Sequence, residues 1–126
     1  MNKFIYLALL VLLSCNDNQH NQKKINLDFI DNYRGNTING KKIFYKSCVT
    51  CHLYGSAGAT TLSDKKEWEY LLKNKNKKEI FINVYNGFAG TKGAMPKMGG
   101  CYNCSELDLF DAIEYILSIN GLTISN

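Results

Sequence analysis

Two cysteines separated by two residues, with a histidine directly after the second, constrain this chain more than any other feature. The five residues are Cys48-Val49-Thr50-Cys51-His52. In such a pentad each thiol can add to one vinyl group of a haem, and the imidazole can then reach the iron. The sequence therefore predicts a covalently attached haem and a fold that encloses it.

The composition limits the chain to one ordinary globular domain. Its 126 residues are enough for one domain and too few for two. The formal net charge of +4 falls by one if Lys3 is removed with a leader, and this excess is too small to predict nucleic-acid binding.

The first residues have the pattern of an export signal. A short positive start, Met1-Asn2-Lys3, precedes an apolar run from Phe4 to Leu13 that is too short to span a bilayer. Leu12-Leu13-Ser14-Cys15 is similar to a bacterial lipobox, in which the cysteine is acylated. We expect residues 1–14 to be a lipoprotein signal peptide and Cys15 to carry lipid. Cleavage elsewhere would leave Cys15 as an incidental thiol.

A polar segment follows the expected lipid site. Residues 16–24 contain no apolar side chain, so they are predicted to be a solvated tether in which His20 is exposed rather than a ligand. Residues 25–34 can pack loosely on a domain. We therefore assign residues 15–36 to the lipid-anchor cysteine and tether, and residues 37–126 to a domain with a single haem.

Helical patterns dominate that domain. The predicted helices cover residues 36–48, a segment capped by Ser63, residues 79–86, and a last segment that begins with a Ser105/Asp108 capping box. The alternation in residues 79–86 would also suit a strand, but no second strand offers itself for pairing. The sequence predicts an all-α fold.

The glycine-rich segment before Cys101 holds two methionines and the chain's only proline. Met95, directly before Pro96, can present a thioether to iron without helical constraint, and Met98 is the rival ligand. Either methionine could instead fill the core. Histidine and methionine together occupy both axial positions of a haem, which favours electron transfer over catalysis.

These residues resemble a class I c-type cytochrome. The resemblance rests on Gly40 and Phe44, the pentad, Met95-Pro96 and Tyr115. A narrower likeness to the cytochrome c5 subgroup rests on Gly58-Ala59, Asp64, Trp68, Met95-Pro96, Gly99-Gly100 and Cys101-x-x-Cys104-Ser105. Together they cover residues 38–119, nearly the whole expected domain.

The resemblance implies a small class I cytochrome c fold, with helices packed around one haem and His52 and Met95 as axial ligands. It also implies a Cys101–Cys104 disulfide, for which a reversible dithiol is the alternative state. By the same resemblance Trp68 lies beside a haem propionate, whereas the residue pattern alone would suit a core tryptophan.

One position departs from the family. Where these proteins usually have a proline after Gly-Ala, this chain has Thr60. The proline carbonyl commonly orients the haem-ligating histidine, and a threonine carbonyl could do so with less rigidity. The orientation of His52 and the reduction potential are therefore the properties that the sequence defines least.

Two alternatives use the same cysteines. Cys48-x-x-Cys51 and Cys101-x-x-Cys104 could form a Cys₄ zinc-binding structural module, but their separation exceeds usual ribbon spacing and leaves His52 without a role. A thioredoxin-like oxidoreductase would need a βαβ pattern, which neither pair has.

The predicted function is that of an electron carrier rather than an enzyme. We expect an exported, periplasmic, membrane-anchored lipoprotein that exchanges electrons with proteins of a respiratory chain, an oxidase or a reductase. Lys46, Lys92 and Lys97 could surround an exposed haem edge, or they could belong to a generic basic surface.

Overall fold

The computed structural model describes residues 25–124. The helices are α1 (Asp28–Asn32), α2 (Thr37–Ile43), α3 (Val49–His52), α4 (Lys65–Asn74), α5 (Lys77–Asn86) and α6 (Glu106–Ile119), and the strands are β1 (Phe88–Ala89) and β2 (Ala94–Met95). The predicted all-α fold is confirmed, with this two-residue strand pair as its only sheet within the described range. The predicted signal peptide, Cys15 and the polar tether lie outside that range.

Within residues 25–124, no helix combines the length and the apolar character that crossing a membrane requires.

Polar side chains determine where the helices begin. Helix α6 starts with the predicted Ser105 capping box. Helix α4 is capped by Asp64 and not by Ser63, because the Asp64 carboxylate accepts a hydrogen bond from the backbone N–H three residues later. Helix α5 starts two residues earlier than predicted, since Asn76 and Glu79 form a capping box ahead of the apolar segment.

The strand pair lies within the glycine-rich segment before Cys101, for which the sequence indicated no strand. Phe88 lies opposite Met95 in an antiparallel pair, and the Gly90 N–H donates to the Gly93 carbonyl to close the turn. Strands of two residues show no alternation that a sequence pattern could reveal. Gly87 ends α5 with φ of 80°, and a Cβ there would lie 2.9 Å from the Met95 carbonyl oxygen. The pair therefore holds Met95 against the end of α5.

Helix α2 packs directly across α6. A Cβ on Gly40 would overlap the Asp111 carbonyl oxygen, so only glycine permits this approach of the two backbones. Four residues later, the Phe44 ring lies 5.6 Å from the Tyr115 ring between centroids. Gly40 and Phe44 therefore define the contact between α2 and α6.

A π-helical turn, Phe44–Cys48, joins α2 to α3 without a break. The Val49 N–H donates to the Phe44 carbonyl five residues earlier, where an α-helix would use the fourth residue. The predicted helix over residues 36–48 was therefore wrong at its end, since the helical run continues to His52. The extra residue rotates later side chains by about 100° about the axis relative to an uninterrupted α-helix.

The segment before α2 packs more tightly than its sequence predicted. Ile30 in α1 is fully buried in the main core. The Phe29 ring makes edge-to-face contacts with Phe81 at 5.5 Å and with Phe110 at 6.2 Å between centroids. Aromatic contacts of this kind add to the stabilisation from burial, and they attach residues 25–36 to the domain.

Candidate functional site

A largely apolar cavity of about 360 Å³ brings together the predicted site residues. Its lining includes Cys48, Cys51, His52, Trp68, Met95 and Met98. The other contributors are mostly small or apolar side chains from α4, α5, α6 and the glycine-rich turns. Residues that are more than forty positions apart thus line one largely apolar cavity, which suits a large, mostly apolar group.

The His52 imidazole has a defined orientation in this cavity. Its Nδ1 lies 2.8 Å from the Thr60 carbonyl oxygen. A carbonyl only accepts, so Nδ1 carries the proton and Nε2 keeps a free lone pair for a metal. The Leu62 N–H donates to the His52 carbonyl as well, which fixes the backbone beside the ring. Thr60 thus supplies the contact that the family usually takes from proline, and His52 suits a haem iron.

Trp68 lies on the same side of the cavity as this histidine. Its ring centroid is 5.9 Å from that of His52, and its indole N–H donates to the Thr61 carbonyl at 2.8 Å. The predicted neighbour of a propionate therefore lines the cavity, but its polar atom is bonded to the protein backbone.

The four cysteines of the described range fall into two states. Cys48 and Cys51 are free thiols at the cavity, whereas Cys101 and Cys104 form a disulfide. The disulfide cysteines are only 2% and 8% exposed, which does not suit an exposed, labile switch.

The thiol of Cys48 is protonated at neutral pH. Burial, and to a smaller extent the neighbouring Cys51, raises the pKa of Cys48 to about 11. A half-buried neutral thiol costs little in an apolar wall, so Cys48 can occupy the cavity without a charge partner.

The Cys₄ zinc module is not supported. Disulfide sulfurs cannot act as thiolate ligands, so one of the two required pairs is unavailable to a metal. In the part of the chain that the structure describes, no three His, Cys, Asp or Glu residues are grouped so that they could hold a metal ion.

The two methionines occupy different surroundings. Met98 packs against the main buried core from a turn at Lys97–Gly100. Met95 belongs to neither core cluster of the described residues, although it lines the cavity. Core filling is therefore the better description for Met98, which leaves Met95 as the stronger candidate ligand.

The sequence did not reveal which contacts hold the cavity walls together. The Ser47 hydroxyl donates to the Gly99 carbonyl at 2.9 Å and so ties the pentad to the methionine turn. Gly58 lies so close to the turn of the strand pair that a Cβ there would overlap the Lys92 carbonyl. Both contacts join segments more than thirty residues apart, and serine and glycine carry no local signal for such partners.

The three lysines that could surround a haem edge do not form one cluster at the cavity. They are Lys46, Lys92 and Lys97. Only Lys92 belongs to the cavity lining, and its ammonium lies 2.7 Å from the Glu67 carboxylate. The Lys97 ammonium lies 5.7 Å from the centroid of the Tyr85 ring. Lys46 is exposed on the π-helical turn.

The comparisons with known proteins all match cytochromes or a cytochrome oxidase subunit. The family model for cytochrome c oxidase, cbb3-type, subunit III matches residues 35–116. Cytochrome c-555 of Chlorobaculum thiosulfatiphilum is 33% identical over 79 residues, which cover 62% of this chain and 90% of that protein. Cytochrome c-555 of Chlorobaculum tepidum is 31% identical over 78 residues, which cover 62% of this chain and 71% of that protein.

The matched region contains the pentad, the strand pair and most of α6. The narrower likeness to the cytochrome c5 subgroup stays a prediction. The family model covers most of the folded domain, the relatives are matched over most of their length, and the apolar cavity suits a haem. The chain therefore belongs to the class I c-type cytochromes, which are electron-transfer proteins that carry covalently bound haem c.

Proposed function

We propose that this protein is a monohaem electron carrier in which Cys48 and Cys51 hold the haem, and His52 and Met95 are the axial ligands. One observation carries the proposal: all four side chains line the same apolar cavity. Each thiol forms a thioether by adding across a vinyl group, and His52 presents Nε2 because Nδ1 is bonded to Thr60.

The haem supplies reversible one-electron chemistry, and the protein's residues hold and tune it. Thioether bonds keep the group in place in both oxidation states. The apolar walls limit water, and a histidine–methionine pair favours a higher potential than two nitrogen ligands would. With both axial positions filled, no position is left for a substrate, which supports a carrier rather than an enzyme.

The test is a reduced-minus-oxidised spectrum, followed by a haemochrome assay on the denatured chain. We expect a low-spin spectrum of a histidine–methionine haem, and one haem that stays with the chain after denaturation. A Cys48→Ser/Cys51→Ser double variant should lose all haem on denaturation. A colourless product, or haem that extracts freely from the unaltered protein, would contradict the proposal.

The cellular setting is part of the same proposal. The export pattern of residues 1–14 and the lipobox-like Leu12-Leu13-Ser14-Cys15 support a periplasmic lipoprotein held at the outer side of the cytoplasmic membrane. The description of the matching family model names an oxidase subunit, which makes an oxidase of a respiratory chain a candidate partner. Such encounters are small and short-lived.

Fatty-acid labelling tests the anchor. The full chain, expressed with its leader and labelled with a radioactive fatty acid, is expected to carry label that survives denaturation. Cys15→Ala should remove that label, because it removes the thiol that is acylated, while the haem content stays unchanged. Equal labelling of the two proteins would contradict acylation at Cys15.

A further inference from the structure

Three successive backbone carbonyls, those of residues 60–62, each accept a hydrogen bond from a different side chain. The first contacts Nδ1 of His52 at 2.8 Å, the second accepts from the Trp68 indole at 2.8 Å, and the third accepts from the Asn120 amide at 2.7 Å. The donors come from α3, from α4 and from the end of α6. Thr60 contacts the histidine, and hydrogen bonds to the carbonyls of Thr61 and Leu62 hold the two peptide groups that follow it.

Asn120 is well suited to hold this segment. Its side chain is buried, at 8% exposure, and its Nδ2 donates both to the Leu62 carbonyl and to the Ile116 carbonyl at 2.8 Å. Both partners are acceptors, so the amide has only one orientation that satisfies them. Leu62 is itself 9% exposed, so an unpaired carbonyl there would have little access to water.

Threonine at position 60 makes such support necessary. A proline there would fix φ by its ring, whereas the φ of a threonine can vary. Rotation of the Thr60 peptide would turn its carbonyl away from His52. The bonds at positions 61 and 62 restrict that rotation from two directions, because each fixes the next peptide plane along the chain.

We propose that Asn120, together with Trp68, is a positioning residue that keeps the Thr60 carbonyl on His52 Nδ1 and thereby lowers the reduction potential of the haem. This inference rests on the proposed function, in which His52 is an axial ligand. Asn120 is not part of the cavity lining, so its effect reaches the haem through residues 60–62.

The direction follows from the chemistry of a metal-bound imidazole. An Nδ1–H that donates to a carbonyl makes the ring a stronger electron donor through Nε2. A stronger donor stabilises ferric iron more than ferrous iron, which lowers the potential. Loss of the Asn120 bond should weaken the Nδ1–H contact and therefore raise the potential.

The experiment compares Asn120→Leu with the unaltered protein, both with haem attached. The leucine keeps a similar volume and removes both donors. We expect a higher midpoint potential in a redox titration. Solvent exchange of the His52 Nδ1 proton, followed by NMR, should be faster by roughly fivefold to tenfold, the factor that losing about one hydrogen bond corresponds to.

Asn74→Leu is the matched control. Asn74 also lies at the end of its helical segment, and its Nδ2 donates at 2.7 Å to the carbonyl four residues earlier, but it has no bond to residues 60–62. Its potential and Nδ1 exchange should equal those of the unaltered protein. If the potential and the exchange rate change equally in both variants, the cause is the general loss of an amide at a helix end, and the inference is overturned.

Trp68→Phe is the second variant. It tests the same inference if the Asn120→Leu protein cannot be obtained with haem attached. It keeps an aromatic ring and removes the indole N–H, so the potential should again rise and exchange should quicken. An intact histidine–methionine spectrum with unchanged potential and exchange would overturn this inference alone. Absence of that spectrum in the unaltered protein would overturn the proposed function as well.

Discussion

Replacement of Met95 by alanine in the haem-loaded protein is expected to abolish the low-spin histidine–methionine spectrum. The reduction potential should fall by about 0.1 V or more, since the identity of the axial ligand moves haem potentials over about 0.8 V. Met95 lines the cavity outside both buried core clusters of the described residues, and it pairs with Phe88 in the short sheet. Its thioether is therefore available to iron without a loss of core packing.

Met98→Ala is the control for that experiment. Met98 is partly buried against the main core, so its truncation should cost about 1–2 kcal/mol of unfolding free energy while the spectrum is retained. The two variants thus separate ligation from packing. If Met98→Ala loses the sulfur-ligated spectrum and Met95→Ala keeps it, the assignment of the ligand has to be reversed.

Replacement of Asp111 by alanine is expected to lower the free energy of unfolding by about 3–5 kcal/mol, because a buried acceptor with several donors is removed. Asp111 is 2% exposed. Its carboxylate accepts from the Tyr33 hydroxyl at 2.9 Å, the Asn36 N–H at 2.7 Å and the Asn39 amide at 2.8 Å. Burial, with the Asp111 bond as a smaller cause, raises the pKa of Tyr33, so its hydroxyl remains a donor at neutral pH.

Urea unfolding of the haem-loaded protein measures this loss. Glu69→Gln is the control, since Glu69 makes only a 3.8 Å surface pair with Lys65 and should change stability by less than about 0.5 kcal/mol. Limited proteolysis should cut Asp111→Ala first near residues 25–36, because the lost bonds attach that segment to α6. A loss under about 1 kcal/mol, or unchanged proteolysis there, would show that the network contributes little.

Local signals in the sequence predicted much of the helical architecture. Ser105 caps the helix that it was expected to cap, because capping depends on residues within one turn, and Asn36 caps α2 at the start of the helix predicted over residues 36–48. The same locality explains the error at Ser63, since Asp64 next to it is an equally good cap and only the traced backbone distinguishes them.

Contacts between distant segments were the part that the sequence could not predict. Asp111 lies within the apolar stripe of α6, and nothing beside it indicates that donors arrive from residues more than seventy positions earlier. The Asn120 amide is likewise paired with Leu62, 58 residues away. A polar residue in an apolar pattern signals burial with partners, but it does not say which partners.

The sequence by itself predicted the chemistry of attachment, because two thiols and an imidazole within five residues stay close in any helical conformation. The tertiary structure decided what surrounds them. It brought Met95 to the same cavity, rotated Cys48 to His52 through a π-helical turn, and placed the Thr60 carbonyl on the histidine. These features depend on how far-apart segments pack, and the packing is the joint result of the close approach at Gly40, buried polar bonds and the apolar core.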